Sequence, residues 1–254
     1  MNRNERTAVA RHLLGFFLLS NLLAGCGAER IPATFGAFEP VNLNDRFSSG
    51  ALNGKIENFV VIMDTSSTMN NPYLYEVFDS NTIPTLFEVE KEVLRRLNQA
   101  IPAMRLNAGL RTFGFGSCQS WRFSLERLKL GPYVKKSFSD AVNSIECAGG
   151  GSPMDFAIAI VGSDLESIKG KTGIIIISDG ELGDDAAVSV IELKKQYGER
   201  VCVHTISLGN NPGNRLAMRR LAALSRCGYT TIAEELATAS GMAEFVEKVF
   251  LKSN

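Results

Sequence analysis

Two runs constrain this chain more than any other feature: NFVVIMD at 58–64 and TGIIIISDG at 172–180. Each is too continuously apolar to leave one face in water, so each reads as a strand buried on both sides, ending in an acid. Strand and helix patterns alternate around them. TLFEVEKEVLRRLNQAI has helical spacing, LNAGLRTFGFG and WRFSLERLKL are strand-like, with the second suited to an edge, and SFSDAVNSI and SPMDFAIAIVGSDL are helical. After TGIIIISDG come the helix DDAAVSVIELKKQYG, the strand RVCVHTISLG, the helix NRLAMRRLAALSRC, the short strand YTTIA and the helix ASGMAEFVEKVFLK. This order predicts an α/β fold: a doubly wound, mostly parallel sheet with helices on both faces over residues 58–254.

In such sheets ligands bind outside the carboxyl ends of the strands. Asp64 and Asp179 both end strands and are expected at that edge. Asp64 is followed by Thr65, Ser66, Ser67 and Thr68, and between the two acids lies CAGGGSPMD, a glycine run that ends in Ser152. Capping alone accounts for Ser152, with Pro153 at the first helical position. A phosphate-binding loop is disfavoured, because no lysine follows the glycines. Taken together, the oxygens suit a hard divalent cation, since Mg²⁺ takes oxygen ligands and retains some water. With only two carboxylates beside neutral hydroxyls, such an ion stays electrophilic.

Asp64-Thr65-Ser66-Ser67-Thr68, Ser152 in its glycine-rich loop, and Asp179-Gly180 resemble the three segments of the metal-ion-dependent adhesion site of von Willebrand factor A domains. The first segment reads D-x-S-x-T where the family has D-x-S-x-S. Ser152 stands where the family commonly has threonine. Both departures keep the hydroxyl. The resemblance covers roughly residues 58–250 and implies Mg²⁺ (or Mn²⁺ or Ca²⁺) at Asp64, Ser66, Thr68, Ser152 and Asp179. It further implies an open coordination position for a carboxylate from a protein or peptide partner, in a binding module that is not an enzyme.

Other readings compete. A strand ending in aspartate also resembles the haloacid dehalogenase phosphatases, but their general acid two residues on is replaced here by Ser66. No G-x-S-x-G occurs, and His204 falls within a predicted buried strand. A structural envelope protein with no functional metal is the third class. Positive and negative side chains balance at 27 each, so no basic excess points to nucleic acid.

The first residues are set apart from the fold. MNRNERTAVARH carries three arginines, and LLGFFLLSNLLAG then runs to Cys26. A basic start and a short apolar stretch read as an export signal over residues 1–25. Leu23-Ala24-Gly25-Cys26 resembles the bacterial lipobox, which implies lipid on Cys26. Gly27, where an aspartate would favour retention in the inner membrane, favours the outer membrane, on its periplasmic or surface side, if the cell is Gram-negative. Residues 26–57 scatter Pro, Gly, Asn and Ser without a period and read as a tether.

Cys118, Cys147, Cys202 and Cys227 remain, an even set in an exported chain, and none lies in a C-x-x-C pair. The predicted topology chooses among the three pairings. Cys202 opens one strand and Cys227 precedes its neighbour, both at the amino end of the sheet. Cys118 and Cys147 belong to loops at the carboxyl end. The expected bridges are therefore Cys118–Cys147 and Cys202–Cys227, because strands of five or six residues span roughly 17–20 Å and bridged Cα atoms lie within about 7 Å. Trp121 is expected to cover the sheet edge beside Cys118. The insert NNPYLYEVFDSNTIP is longer than an ordinary strand-to-helix loop. Its aromatics serve either as partner contacts or as a local mini-core.

Overall fold

The computed structural model describes residues 30–181, 183 and 185–253. The expected signal and Cys26 lie outside these residues. From Pro32 onward the chain forms one compact unit.

In chain order its elements begin with a short helix α1 (Asn44–Ser48), then β1 (Leu52–Gly54) and β2 (Asn58–Asp64). Helix α2 (Leu86–Ala100), the strands β3 (Asn107–Phe113) and β4 (Ser124–Pro132), and the helices α3 (Lys135–Asn143) and α4 (Met154–Asp164) follow. The rest comprises β5 (Thr172–Ser178), α5 (Asp185–Tyr197), β6 (Val201–Ser207), α6 (Pro212–Leu224), β7 (Thr230–Ile232), α7 (Ala233–Leu236), α8 (Ala239–Phe250) and β8 (Leu251–Ser253). The main sheet has six strands in the order β4-β3-β2-β5-β6-β7. All neighbours are parallel except β3 and β4.

The two acid-tipped runs form the neighbouring central strands β2 and β5, and every residue of both is buried. Side chains alternate between two cores, as the pleat requires. Val61, Met63, Ile175 and Ile177 pack with Val89, Val93 and Leu97 of α2, Phe138 of α3 and Phe245 of α8. Val60, Ile62, Ile174 and Ile176 pack with Ile158 and Val161 of α4, Val190 and Leu193 of α5 and Met218 of α6. Each such side chain contributes roughly 1.5–3 kcal/mol by leaving water. Thr85 and Glu88 form a reciprocal capping box that fixes where α2 begins.

The expected tether is corrected from Pro32 onward. Leu43 and Leu52 are buried in the core, and β1 pairs antiparallel with β8 at the end of the chain. Phe38 and Phe78 each lie 4.8 Å from the Arg96 guanidinium of α2. Single anchoring side chains hold this segment, which explains why it shows no sequence period. The last helix is also shorter than its pattern, because Leu251 leaves α8 to enter β8.

Both expected disulfides are present: Cys118–Cys147 with Cα atoms 5.8 Å apart, and Cys202–Cys227 at 5.3 Å. The insert forms a mini-core, in which Tyr73 and Phe78 are buried and their rings meet edge to face at 5.8 Å. Trp121 departs from its expected place and stands 69% exposed.

Candidate functional site

Strand β2 delivers Asp64 fully buried to the carboxyl edge of the sheet. One carboxylate oxygen, Oδ1, accepts the Ser66 backbone N–H at 2.8 Å, which turns the chain sharply after the strand. The other, Oδ2, accepts the Ser178 hydroxyl at 2.6 Å. That same hydroxyl oxygen accepts the Gly180 N–H at 2.9 Å. Ser178 thus ties Asp64 to the loop that carries Asp179.

The hydroxyls of Ser66 and Thr68 converge to 3.2 Å. Thr68 and Asp179 both open onto a cleft of about 480 Å³, lined further by Tyr73, Tyr75 and Asn214. The glycine-rich loop is joined to the first segment by its backbone: Gly149 N–H donates to Thr65 O at 2.8 Å and Ser67 N–H to Gly150 O at 2.9 Å. Gly150 has φ +89°, and a Cβ there would lie 1.8 Å from Phe115 O, so only glycine fits. Gly180, at φ +80°, is likewise closed by Asn214 O, 2.8 Å from where a Cβ would stand.

Ser152 takes a different position from the one expected of a cap. Helix α4 starts at Met154 with no side-chain cap, and the Ser152 hydroxyl donates to Glu181 O at 3.3 Å. It therefore links the glycine loop to the loop after β5. Asp64, Ser66 and Thr68 form one bonded group, Ser178 connects it to the Asp179 loop, and Ser152 meets that loop through Glu181.

Burial raises the Asp64 carboxyl from an ordinary 3.8 to about 7, opposed by its hydrogen bonds from Ser178 and Ser66 and reinforced by the nearby charge of Asp179. Beneath it lies a group the sequence did not disclose. Glu90 of α2 is completely buried, and its Oε1 accepts the Asp64 backbone N–H at 2.9 Å. Burial and the Asp64 charge hold the Glu90 carboxyl well above the usual range. Its Oε2 has no hydrogen-bond partner among the described residues. Glu90 escaped notice because glutamate in an amphipathic helix reads as a solvated face. Ser178 was visible within IIIISD, but its role depends on β5 lying beside β2.

A cation fits this chemistry. It would favour the ionised form of Asp64 that burial disfavours, with hydroxyl oxygens at hand that add no charge. Among the described residues no cluster of three or more His, Cys, Asp or Glu side chains is disposed to hold a metal. Any ion here therefore depends on Ser and Thr oxygens.

No protein-family model matches the chain, and no curated protein matches it. Solved structures do. A von Willebrand factor type A protein from Catenulispora acidiphila superposes with a TM-score of 0.55 at 16% identity, over 76% of this chain and 42% of that one. The fold is that of a von Willebrand factor A domain. An aerotolerance-related membrane protein from Bacteroides fragilis shares this domain fold with a TM-score of 0.54 at 14% identity, over 74% of this chain and 99% of its own. Proximal thread matrix protein 1 from the mussel byssus, a structure with a zinc-occupied adhesion-site motif, matches at 0.52 and 14% identity over 80% and 49% of the two chains. Similarity at these identities establishes the von Willebrand factor A fold itself.

Proposed function

We propose that this domain is a divalent-cation-dependent binding module of the bacterial cell envelope, anchored by lipid on Cys26. One observation carries the reading: the buried Asp64 carboxyl, held by Ser66 and Ser178 beside the Ser66 and Thr68 hydroxyls. Asp64, Ser66, Thr68, Ser152 and Asp179 are the residues that would hold Mg²⁺, or Mn²⁺ or Ca²⁺ in its place. The bound cation supplies an electrophilic position for a carboxylate of a protein or peptide partner. The chain's own work is to hold the oxygens in place and to leave the cation's charge only partly neutralised. Ser178 and Ser66 orient both oxygens of Asp64, while Ser66 and Thr68 offer oxygens without neutralising charge. The zinc in the adhesion-site motif of the mussel protein supports the metal reading.

Binding rather than catalysis is supported by two residues. Ser66 stands where a phosphatase would place its acid. His204 is buried in β6 with its Nδ1 accepting the Tyr229 N–H at 3.0 Å, away from the carboxyl edge. Paired disulfides suit an oxidising compartment outside the cytoplasm.

Calorimetry on residues 30–254 with Mg²⁺ or Mn²⁺ tests the metal. Wild type should give heat of binding and a higher melting temperature at millimolar cation, and Asp64→Ala should give neither. A wild-type protein that shows no cation response favours the structural envelope reading. Capture of envelope partners with and without EDTA would then locate function: recovery that ignores EDTA speaks against metal-dependent recognition.

A further inference from the structure

The loop between β3 and β4, residues 114–123, reads GFGSCQSWRF and contains no acid. It carries three rings of an exposed aromatic ladder. Trp121 meets Phe115 edge-on with centroids 5.7 Å apart, Phe115 meets Phe123 at 4.7 Å, and Phe123 meets Phe156 of α4 at 4.5 Å. Trp121 is 69% exposed and Phe156 47%. These rings cover one another and lie outside both cores. A contiguous exposed apolar surface of this kind marks an interaction site.

The loop is built to hold that surface rigidly. Cys118 is bridged to Cys147. Gln119 is completely buried, accepting the Thr112 hydroxyl at 2.8 Å and donating to Thr65. Directly after these anchors Ser120 and Trp121 both take left-handed backbone conformations, at φ 50° and 59°. Two consecutive non-glycine residues there are uncommon, and for a bulky indole the conformation is strained. The strain is maintained in a segment whose most conspicuous product is a tryptophan turned into solvent.

The path of the chain says what covers the ladder. Pro32 begins the compact body, and Ala33 N–H donates to the Glu88 carboxylate in the first turn of α2. Phe35 bridges to Ser80 in the insert. Since α2 follows β2, this entry point lies at the carboxyl edge of the sheet. The ladder, between the end of β3 and the start of β4, lies at the same edge. Cys26 stands six residues before Pro32, a distance of at most about 20 Å of extended chain. A lipid on Cys26 would keep this edge within reach of the bilayer and raise the effective concentration of any weak contact there.

We infer that the Trp121–Phe115–Phe123–Phe156 ladder is a membrane-docking surface, seated at the headgroup level of the bilayer that holds the anchor. Tryptophan and phenylalanine beside a cation are the composition of interfacial contacts, and the exposed Arg122 supplies that cation. The inference rests on the anchor reading for the position of the bilayer and does not involve the metal. Docking would fix the orientation of the domain, with its binding edge close to the membrane surface.

Residues 30–254 contain both cores and serve as an unlipidated body for the test, run in EDTA with vesicles of phosphatidylethanolamine and phosphatidylglycerol. Trp121 is the sole tryptophan, so its emission reports on the ladder directly. Vesicles should shift that emission to the blue, and lipids brominated in the acyl chain should quench it. Phe123→Ser and Phe156→Ser, both at exposed positions, should each weaken partitioning by roughly tenfold, with unchanged thermal unfolding in the Phe156→Ser protein. Unshifted emission at saturating lipid, pelleting without quenching, or variants that partition like wild type would each overturn the inference. So would a blue shift without vesicles that follows self-association in sedimentation equilibrium, which would assign the ladder to a second copy. Vesicle binding through Trp121 combined with an unmodified Cys26 in cells would uphold the surface and remove the anchor.

Discussion

Replacing Asp64 with asparagine should make the metal-free protein more stable at neutral pH. The folded carboxyl titrates at about 7 instead of 3.8, because it is buried beside Asp179. Below pH 3.8 the group is protonated in both folded and unfolded chains and costs nothing. Above that value the unfolded chain releases its proton while the folded chain keeps it, so stability falls as pH rises toward 7. Each pH unit in this window forfeits about 1.4 kcal/mol, and the loss amounts to about 4 kcal/mol by pH 7. Asparagine removes the titration, retains an acceptor for the Ser66 N–H, and offers Ser178 a donor in place of an acceptor. In EDTA, urea unfolding at about pH 4 should find wild type and Asp64→Asn alike, whereas at about pH 7.5 the variant should be more stable by up to about 4 kcal/mol. Added Mg²⁺ should raise only the wild type. Equal stability of the two proteins in EDTA across that range would refute the reasoning. So would a variant that responds to Mg²⁺ like its parent.

Other consequences follow from single groups. His204 is pushed down to about 3 by burial, assisted by the Lys55 charge, so its contribution is present above the ordinary 6.5 and is lost as pH falls from 6.5 toward 3. NMR titration should find a neutral native imidazole down to about pH 4, and native protonation near 6.5 would contradict this. Cys147→Ser opens a bridge between residues 29 apart; it should cost about 3.5 kcal/mol and, by loosening the loop that bears Ser152, weaken cation binding severalfold. Metal binding as tight as wild type would separate the bridge from the site. Cys26→Ser should release or misprocess the protein in cells, and unchanged membrane fractionation with an unmodified wild-type amino-terminal peptide would remove the anchor.

The central sheet, and where it places most residues of the candidate site, were legible because they depend on local patterns. Continuous apolar runs identify β2 and β5, their terminal acids identify Asp64 and Asp179, and the hydroxyl cluster follows directly. The disulfides were legible once strand order was inferred, since only one pairing keeps partners at the same end of the sheet. Glu90 was not legible, because nothing in VEKEV separates a buried glutamate from a solvated one until α2 is laid against β2. The segment from Pro32 to Glu57 was hidden for a related reason: Phe38, Leu43 and Leu52 are held by isolated contacts that leave no periodic trace. Phe250-Leu251 continues the apolar spacing of α8, so the turn into β8 is set by its pairing with β1 and not by local propensity. Trp121 was expected over the sheet edge beside Cys118, whereas the left-handed backbone at Ser120 and Trp121 accompanies a side chain turned outward.

The pairing of β1 with β8 also bears on the order in which the molecule can be completed. Synthesis delivers Leu52–Gly54 about 200 residues before Leu251–Ser253, their partners. The six-stranded sheet can assemble while the amino-terminal strand still has an open edge. Contacts so distant in sequence close late, because the loop between them must first be organised. Closure of this small sheet therefore registers that Leu251–Ser253 has been delivered. A product truncated before Leu251 would retain the binding edge, yet leave Leu52 and the exposed backbone of β1 available to other chains.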